Sequence, residues 1–253
     1  CPLRIIRLPE GSFPRFCDDG AERCIICGHC EAVCPTAAIT VEDPRLDPTT
    51  YPALHAPIPK EQFAHHLRMR RSTRRFSPEP VERETLQELL DLMRYAPTGM
   101  NCQELQWLVI HDTDELRRLS GLVVDWMRHL ISQNAPAGLN VNFEGMIKSW
   151  DKGNDPISRK APHLVLTHAH KDFSLGTVDG LIALSYLYLA APAHGIGTCW
   201  AGYVQYACES WQPLRDALGL PEGHQPSYAM LLGKPAVCYQ RPPKRNFGNV
   251  IWR

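Results

Sequence analysis

From residue 60 to the C-terminus the apolar positions switch repeatedly between a helical and a strand period. Residues 60–70 suit a first helix. The pattern is clearest over residues 81–95, where Leu86, Leu89, Leu90 and Met93 fall at i, i+3, i+4 and i+7. Glu82 and Glu84 suit the positive end of that helix, and Ala96-Pro97-Thr98-Gly99 stops it in a turn. Residues 105–111 read as a strand. Residues 116–131 read as a helix carrying Leu119, Leu122, Val123, Trp126 and Leu130, and residues 134–142 as a loop. Phe143, Met146 and Trp150 are spaced for one face of a short helix. Residues 163–168 read as a buried strand. Residues 178–193 are apolar almost all round, which predicts a central buried helix that breaks near Pro192 and ends at Gly195-Ile196-Gly197. A short helix over 211–217 and a strand over 228–232 follow. Helices alternating with strands in this way predict an α+β domain, a mixed sheet flanked by helices.

The first 59 residues follow a different rule. Residues 3–8 and 38–41 suit two small strands around a cysteine-rich loop. Residues 43–59 hold Pro44, Pro48, Pro52, Pro57 and Pro59 without periodicity, which predicts an extended, semi-rigid linker. The expected organisation is a small module over 1–42, a linker over 43–59 and a main domain over 60–253. The small module cannot bury much core, so its stability must come from something it binds.

Composition narrows the function. Lys+Arg and Asp+Glu both number 27 among 253 residues, so no net charge favours nucleic acid or an anionic membrane. No apolar run reaches the length of a membrane span and no signal peptide is evident, so a cytoplasmic protein is expected. Of the ten cysteines, six lie in the first 34 residues, a clustering that fits a reducing compartment and metal better than disulfides.

Cys24-Ile25-Ile26-Cys27-Gly28-His29-Cys30-Glu31-Ala32-Val33-Cys34-Pro35 reads C-x2-C-x2-C-x3-C-P, the run that bacterial iron–sulfur ferredoxins use to hold 4Fe-4S clusters. The alternatives are four unligated thiols or a zinc knuckle, whose C-x2-C pairs are normally further apart. The sequence starts without Met, at Cys1-Pro2. This has the form of the end of a first such run whose other cysteines would precede it. The fourth cysteine of each run completes the other cluster. On that register Cys1 joins Cys24, Cys27 and Cys30, and Cys34 serves a second cluster. Cys17 lies outside both runs, as a plain thiol or a ligand.

Three stretches in the main domain carry candidate chemistry. Arg70-Arg71-Ser72-Thr73-Arg74 can bind phosphate through guanidinium forks and a hydroxyl, or can be a solvated basic face. Pro97-Thr98-Gly99-Met100-Asn101-Cys102-Gln103 can present amides to a ligand, or be turn chemistry alone. Gly195 to Tyr203 holds three glycines in eight residues, which allows close backbone approach to something flat, or is an ordinary strand or turn. No G-x-G-x-x-G follows a strand, so a Rossmann dinucleotide site is not indicated.

In order along residues 60–253, these stretches resemble the FMN-dependent nitroreductases. That family's R-[RH]-S-x-R/K-x-F motif matches Arg70, Arg71, Ser72, Arg74 and Phe76. Its P-[ST]-x-x-N-x-Q matches Pro97, Thr98, Asn101 and Gln103, its G-[LI]-G-[ST]-x-W matches Gly195 to Trp200, and its closing basic pair matches Lys244 and Arg245. With the cysteine run ahead of it, the chain is similar to the ferredoxin–nitroreductase fusions. One departure is Glu104-Leu105-Gln106-Trp107, where many members read Pro-Trp directly after the Gln.

The resemblance implies FMN held at its phosphate and ribityl by Arg70, Arg71, Ser72, Lys244 and Arg245. It places Arg74 at the N1/C2-carbonyl side, Asn101 and Gln103 on the ring or ribityl, and the Trp200-Ala201-Gly202 backbone near N5. It also implies a homodimer with the site at its interface, and an electron-poor small-molecule substrate such as a nitroarene, quinone or activated alkene. No protein nucleophile is required. Tyr203, Trp126, Phe143 and Trp150 are candidates for the substrate pocket or for core packing. The expected flow runs from a ferredoxin or other low-potential donor through the cluster to FMN. The alternatives are reverse flow, or an electron carrier or redox sensor without a substrate.

Overall fold

The computed structural model describes residues 1–49, 57–133 and 141–253. Residues 50–56 of the expected Pro-rich linker and residues 134–140 of the expected loop therefore lie outside the described residues. The chain divides into two compact units, one formed by Cys1–Pro57 with Thr98–Gln103 and the other by Ile58–Pro97 with Glu104–Arg253.

In the first unit, strands β1 (Ile6–Arg7) and β2 (Arg15–Phe16) pair antiparallel, with Ile6 opposite Phe16. Two single-turn helices follow, α1 (Gly20–Arg23) and α2 (His29–Ala32). Gly20 is buried, with room for no more than ordinary contact against Ile5 and Phe16. The Arg23 guanidinium ties α1 to the start of the chain, bonding the Asp19 carboxylate and the Leu3 carbonyl at 3.0 Å each. Residues 38–41, expected as a strand, join no ladder, and the partner of the first strand is Arg15–Phe16 instead. The Ala38 N–H points at the Cys34 sulfur (3.2 Å), so it is not available to a strand partner. Thr98–Gln103 belongs to this unit as a tight turn in which Met100, Asn101 and Gln103 all have φ near +50°.

The second unit begins with α3 (Lys60–Met69) and α4 (Arg83–Leu92), the latter closed by a 3-10 turn at Met93–Tyr95. Then come β3 (Gln106–Ile110), α5 (Thr113–Ser132), α6 (Phe143–Asp151), β4 (His163–His170) and α7 (Gly176–Ala190). A 3-10 turn, β5 (Gly197–Trp200), α8 (Gly202–Ser210), α9 (Gln212–Leu218) and β6 (His224–Gly233) complete it. The four strands run β3-β4-β6-β5, every neighbour antiparallel. The parallel contribution is a bridge from Ser72 to Thr198 at the β5 edge.

Burial follows the strand period. Leu164, Leu166, Ala229 and Leu231 face a core closed by α5, α6, α8 and α9, while Val165, Met230 and Leu232 face a second core under α4 and α7. Both faces of β4 are therefore covered, which is why its sequence reads apolar without alternation.

Three expectations shift. Helix α4 starts at Arg83 rather than Val81, because both backbone groups of Val81 are used elsewhere. Its N–H donates to His163 Nε2 (2.8 Å) and its carbonyl accepts from His111 Nε2 (3.0 Å). Helix α7 is not buried all round: Ala183, Leu184 and Leu187 pack inward, while Val178 and Tyr186 are exposed. Helix α8 was absent from the pattern reading, although Val204, Ala207 and Cys208 lie at helical spacing and are buried.

Close packing of α7 requires Gly180. A Cβ there would sit 2.5 Å from Ser227 Cβ and 2.8 Å from Thr167 Oγ1. Overpacking of that kind costs about 1–3 kcal/mol, against at most about 1 kcal/mol of helix propensity gained. Gly180→Ala is expected to lower the unfolding free energy measured in denaturant.

His163 is buried, its Nδ1 donates to the His111 carbonyl (2.8 Å), and its Nε2 accepts from Val81. The fold therefore holds the ring neutral, and burial lowers its pKa. The unfolded histidine takes a proton near 6.5. Stability is thus complete above that value and lost as pH falls below it. Thermal denaturation between pH 7.5 and 5 should show this loss, and His163→Gln should flatten the slope.

Candidate functional site

In the first unit, Cys1, Cys24, Cys27 and Cys30 line one cavity with Ile5, Ile6, Phe16, Ile25, Gly28 and Val41. Gly28 makes the turn possible, with φ at +68° immediately before α2. All ten cysteines are free thiols. Among the described residues no three His, Cys, Asp or Glu side chains converge to hold one metal ion. Cys1, Cys24, Cys27 and Cys30 share one cavity, as the ligands of one polynuclear cluster must. Cys34 does not line this cavity. Its sulfur accepts the Ala38 N–H and lies 3.7 Å from Thr36 Oγ1, contacts that lower its pKa, the Ala38 bond most. Cys17 is half-buried and also outside the cavity, its sulfur 3.9 Å from the Arg4 carbonyl.

The second unit carries a cleft of about 270 Å³ between the Arg-rich segment and the β5 edge. Residues 72–76 run along that edge: Thr73 N–H donates to the Thr198 carbonyl (2.8 Å), and Phe76 bridges to Pro235. This fastening sets Arg70, Arg71 and Thr73 in the lining with Gly195, Gly197, Thr198 and Tyr239. The Arg70 guanidinium lies over the Tyr188 ring, 3.7 Å from its centroid, and its Nη1 is buried without a hydrogen-bond partner. A buried unpaired guanidinium N–H is costly, and an anion in the cleft would relieve it. Ser72 Oγ bonds Tyr188 Oη at 2.9 Å, and Tyr239 Oη donates to the Ser72 carbonyl at 3.4 Å.

The glycines divide their work. Gly195 adopts a left-handed conformation that ends the preceding turn. Gly197 lets Thr73 approach, since a Cβ there would lie 2.3 Å from Thr73 Oγ1. Trp200 packs edge-on against Tyr188 and Tyr228, buried Ala201 donates its N–H to the Ala229 carbonyl (2.9 Å), and Gly202 opens α8.

Other sequence candidates lie elsewhere. Arg74 is exposed, near enough to Cys199 to oppose the rise that burial causes in that thiol's pKa. Lys244 and Arg245 are exposed and outside the cleft lining, Arg245 reaching only the Lys244 carbonyl at 3.4 Å. Pro97 is exposed at the point where the chain leaves the second unit. In the first unit, the Gln103 N–H donates to Thr98 Oγ1 (3.1 Å), and the Asn101 amide donates to the Ile25 and Ile26 carbonyls at 2.9 and 3.1 Å. Trp126 and Phe143 are core residues, and Trp150 and Tyr203 pack on that core. Sequence reasoning missed Tyr188, which carries no local signal because it meets Arg70 and Ser72 from over a hundred residues away. It also missed Thr73 and Tyr239.

The sequence profile of the Nitroreductase family matches residues 67–234, and that of the 4Fe-4S binding domain matches residues 20–40. The FMN reductase (NAD(P)H) of Bacillus subtilis is 26% identical over 179 residues, 69% of this chain and 66% of that protein. The iodotyrosine deiodinase of Thermotoga neapolitana is 27% identical over 134 residues, 51% of this chain and 67% of that protein. The chain thus spans about two thirds of the length of these curated relatives. A nitroreductase with bound FMN from Bacteroides fragilis has the same fold at a TM-score of 0.58 and 20% identity, over 76% of this chain and 99% of that one. One from Desulfitobacterium hafniense, also titled with bound FMN, matches at 0.58 and 20%, over 75% and 98%.

The unpaired Arg70 N–H makes anion binding at the cleft testable without any cofactor. Inorganic phosphate should raise the melting temperature of ligand-free protein. A ligand at a hundred times its Kd adds about 2.7 kcal/mol. Arg70→Met should abolish most of the rise, and an equal rise in that variant would remove Arg70 from the site.

Proposed function

This chain belongs to the nitroreductase family, and from that membership we propose that it is an iron–sulfur flavoprotein oxidoreductase that binds FMN and a 4Fe-4S cluster. The observation that carries the reading is the cavity lined by Cys1, Cys24, Cys27 and Cys30, in a segment that matches the 4Fe-4S binding domain. The residues present fit both groups: four cysteines line one cavity, and Arg70, whose Nη1 is buried and unpaired, lines the cleft. When bound, FMN supplies hydride transfer from N5 to an electron-poor acceptor, and the cluster supplies electrons singly.

The chain's own residues supply placement and charge. Arg70, Arg71 and Ser72 take the FMN phosphate and ribityl, with Tyr188 holding both Arg70 and Ser72 in position. Lys244 and Arg245 add charge from the exposed C-terminal segment. Arg74 favours the anionic reduced flavin at its N1/C2-carbonyl side. The Trp200, Ala201 and Gly202 backbone borders the ring, and Pro97, Thr98 and Gln103 complete the set. Asn101, which the family pattern also assigns to the flavin, already gives its amide to the cysteine loop. Cys34 is kept for a second cluster.

The substrate class is a small electron-poor acceptor such as a nitroarene, quinone or activated alkene, and the electron source is a ferredoxin or another low-potential donor. A homodimer is supported by apolar surface in need of cover: Val178 and Tyr186 on α7, and Phe247, Ile251 and Trp252 near the C-terminus are exposed. A cytoplasmic site of action is supported by ten unpaired thiols. No described helix is long and apolar enough to cross a membrane.

Iron, sulfide and flavin counts on the purified chain should find both groups. In stopped-flow measurements a low-potential one-electron donor should bleach the flavin absorbance faster than NADH does. Faster bleaching by NADH would overturn the proposed direction of electron entry.

A further inference from the structure

The Ile25–Ile26 peptide sits in the cysteine loop with a hydrogen bond on each side. Its N–H donates to the Cys24 sulfur at 3.4 Å, and its carbonyl accepts from the Asn101 side-chain amide at 2.9 Å. The same amide donates to the next carbonyl, that of Ile26, at 3.1 Å. Two acceptors on one side fix the orientation of the Asn101 side chain, because only its nitrogen can serve both.

Ile26 has φ at +52°, an outlier for a β-branched residue. Such strain persists only where the surroundings hold it. The holder is itself built for the purpose. Met100, Asn101 and Gln103 are left-handed as well, and the turn is closed by Asn101 N–H to the Thr98 carbonyl and by Gln103 N–H to Thr98 Oγ1, both at 3.1 Å. This turn interrupts the chain between α4 and β3, yet it packs with the cysteine unit.

We propose that Asn101 is a positioning residue for the iron–sulfur centre: it clamps the strained Ile25-Ile26-Cys27 turn and polarises the N–H that bonds the Cys24 sulfur. The inference rests on the functional reading that residues 20–40 hold a cluster. Hydrogen bonds to ligand sulfurs tune cluster potential, and one N–H per sulfur favours the more negative, reduced state. Bonds in series strengthen one another, so drawing density toward the Ile25 carbonyl makes the Ile26 N–H a better donor.

The test uses the intact protein with its cluster. Asn101→Asp keeps the shape and tolerates the backbone, but a carboxylate cannot donate to two carbonyls. The midpoint potential of the cluster, followed by EPR, should move to a more negative value. Iron loss to a chelator should run roughly five- to 150-fold faster, the range that two neutral hydrogen bonds support, and flavin content should be unchanged. Ile26→Gly removes the strain that the clamp restrains, so the effect of Asn101→Asp on iron loss should shrink in that background.

Unchanged potential and iron release in Asn101→Asp would overturn the inference. So would loss of flavin with an unaltered cluster, which would assign Asn101 to the flavin. Should Asn101→Asp fail to retain any cluster, recovery of the cluster in the Ile26→Gly double variant supports the clamp, and no recovery overturns it. Wild-type protein that takes up no iron or sulfide overturns the functional reading and this inference together, whereas a loaded wild type confines any failure to Asn101.

Discussion

Burial of β4 and β6 on both faces is the constraint that organises the larger unit. A central strand with no wet face must find helices on each side, and α5 with α8 on one and α4 with α7 on the other supply them. The sheet then has only two edges. At one of them β5 is short, and the Arg-rich segment pairs with it through Ser72 and Thr73, while Phe76 bridges to Pro235 beyond β6. Arg70 is carried into the cleft by that pairing. Arg70 is stacked there on Tyr188, with one donor left open.

The smaller unit works under the opposite limit. It has two-residue strands, single-turn helices and few buried side chains, of which Ile5 is the main apolar one. Such a fold cannot stand on hydrophobic burial, so ligation must contribute to its stability. The left-handed Ile26, Met100, Asn101 and Gln103 are consistent with that: strain is concentrated where the chain wraps the thiols, and hydrogen bonds hold it.

Charge is distributed to match. The chain as a whole is neutral, so no long-range field steers a macromolecular polyanion toward it. Any role for its cationic groups is local, and Arg70 and Arg71 line the cleft.

The sequence alone determined the chemistry and most of the elements. Cysteine spacing announces a cluster because ligand geometry is set by a few consecutive residues. The spacing of Leu86, Leu89, Leu90 and Met93 announces a helix because side-chain direction repeats locally. The Arg70–Arg74 stretch was legible as a phosphate candidate, but its packing against Tyr188 and the edge of β5 was not. The same limit explains the failures. Residues 38–41 look like a strand, but the Ala38 N–H goes to a sulfur. Residues 178–193 look buried all round, but only one face of α7 has a partner in this chain. The sequence also could not show that the Asn101 amide nitrogen meets the cysteine loop some 75 residues earlier. Local rules write the elements and the ligand types. Which polar group meets which partner is decided only when distant segments are packed together.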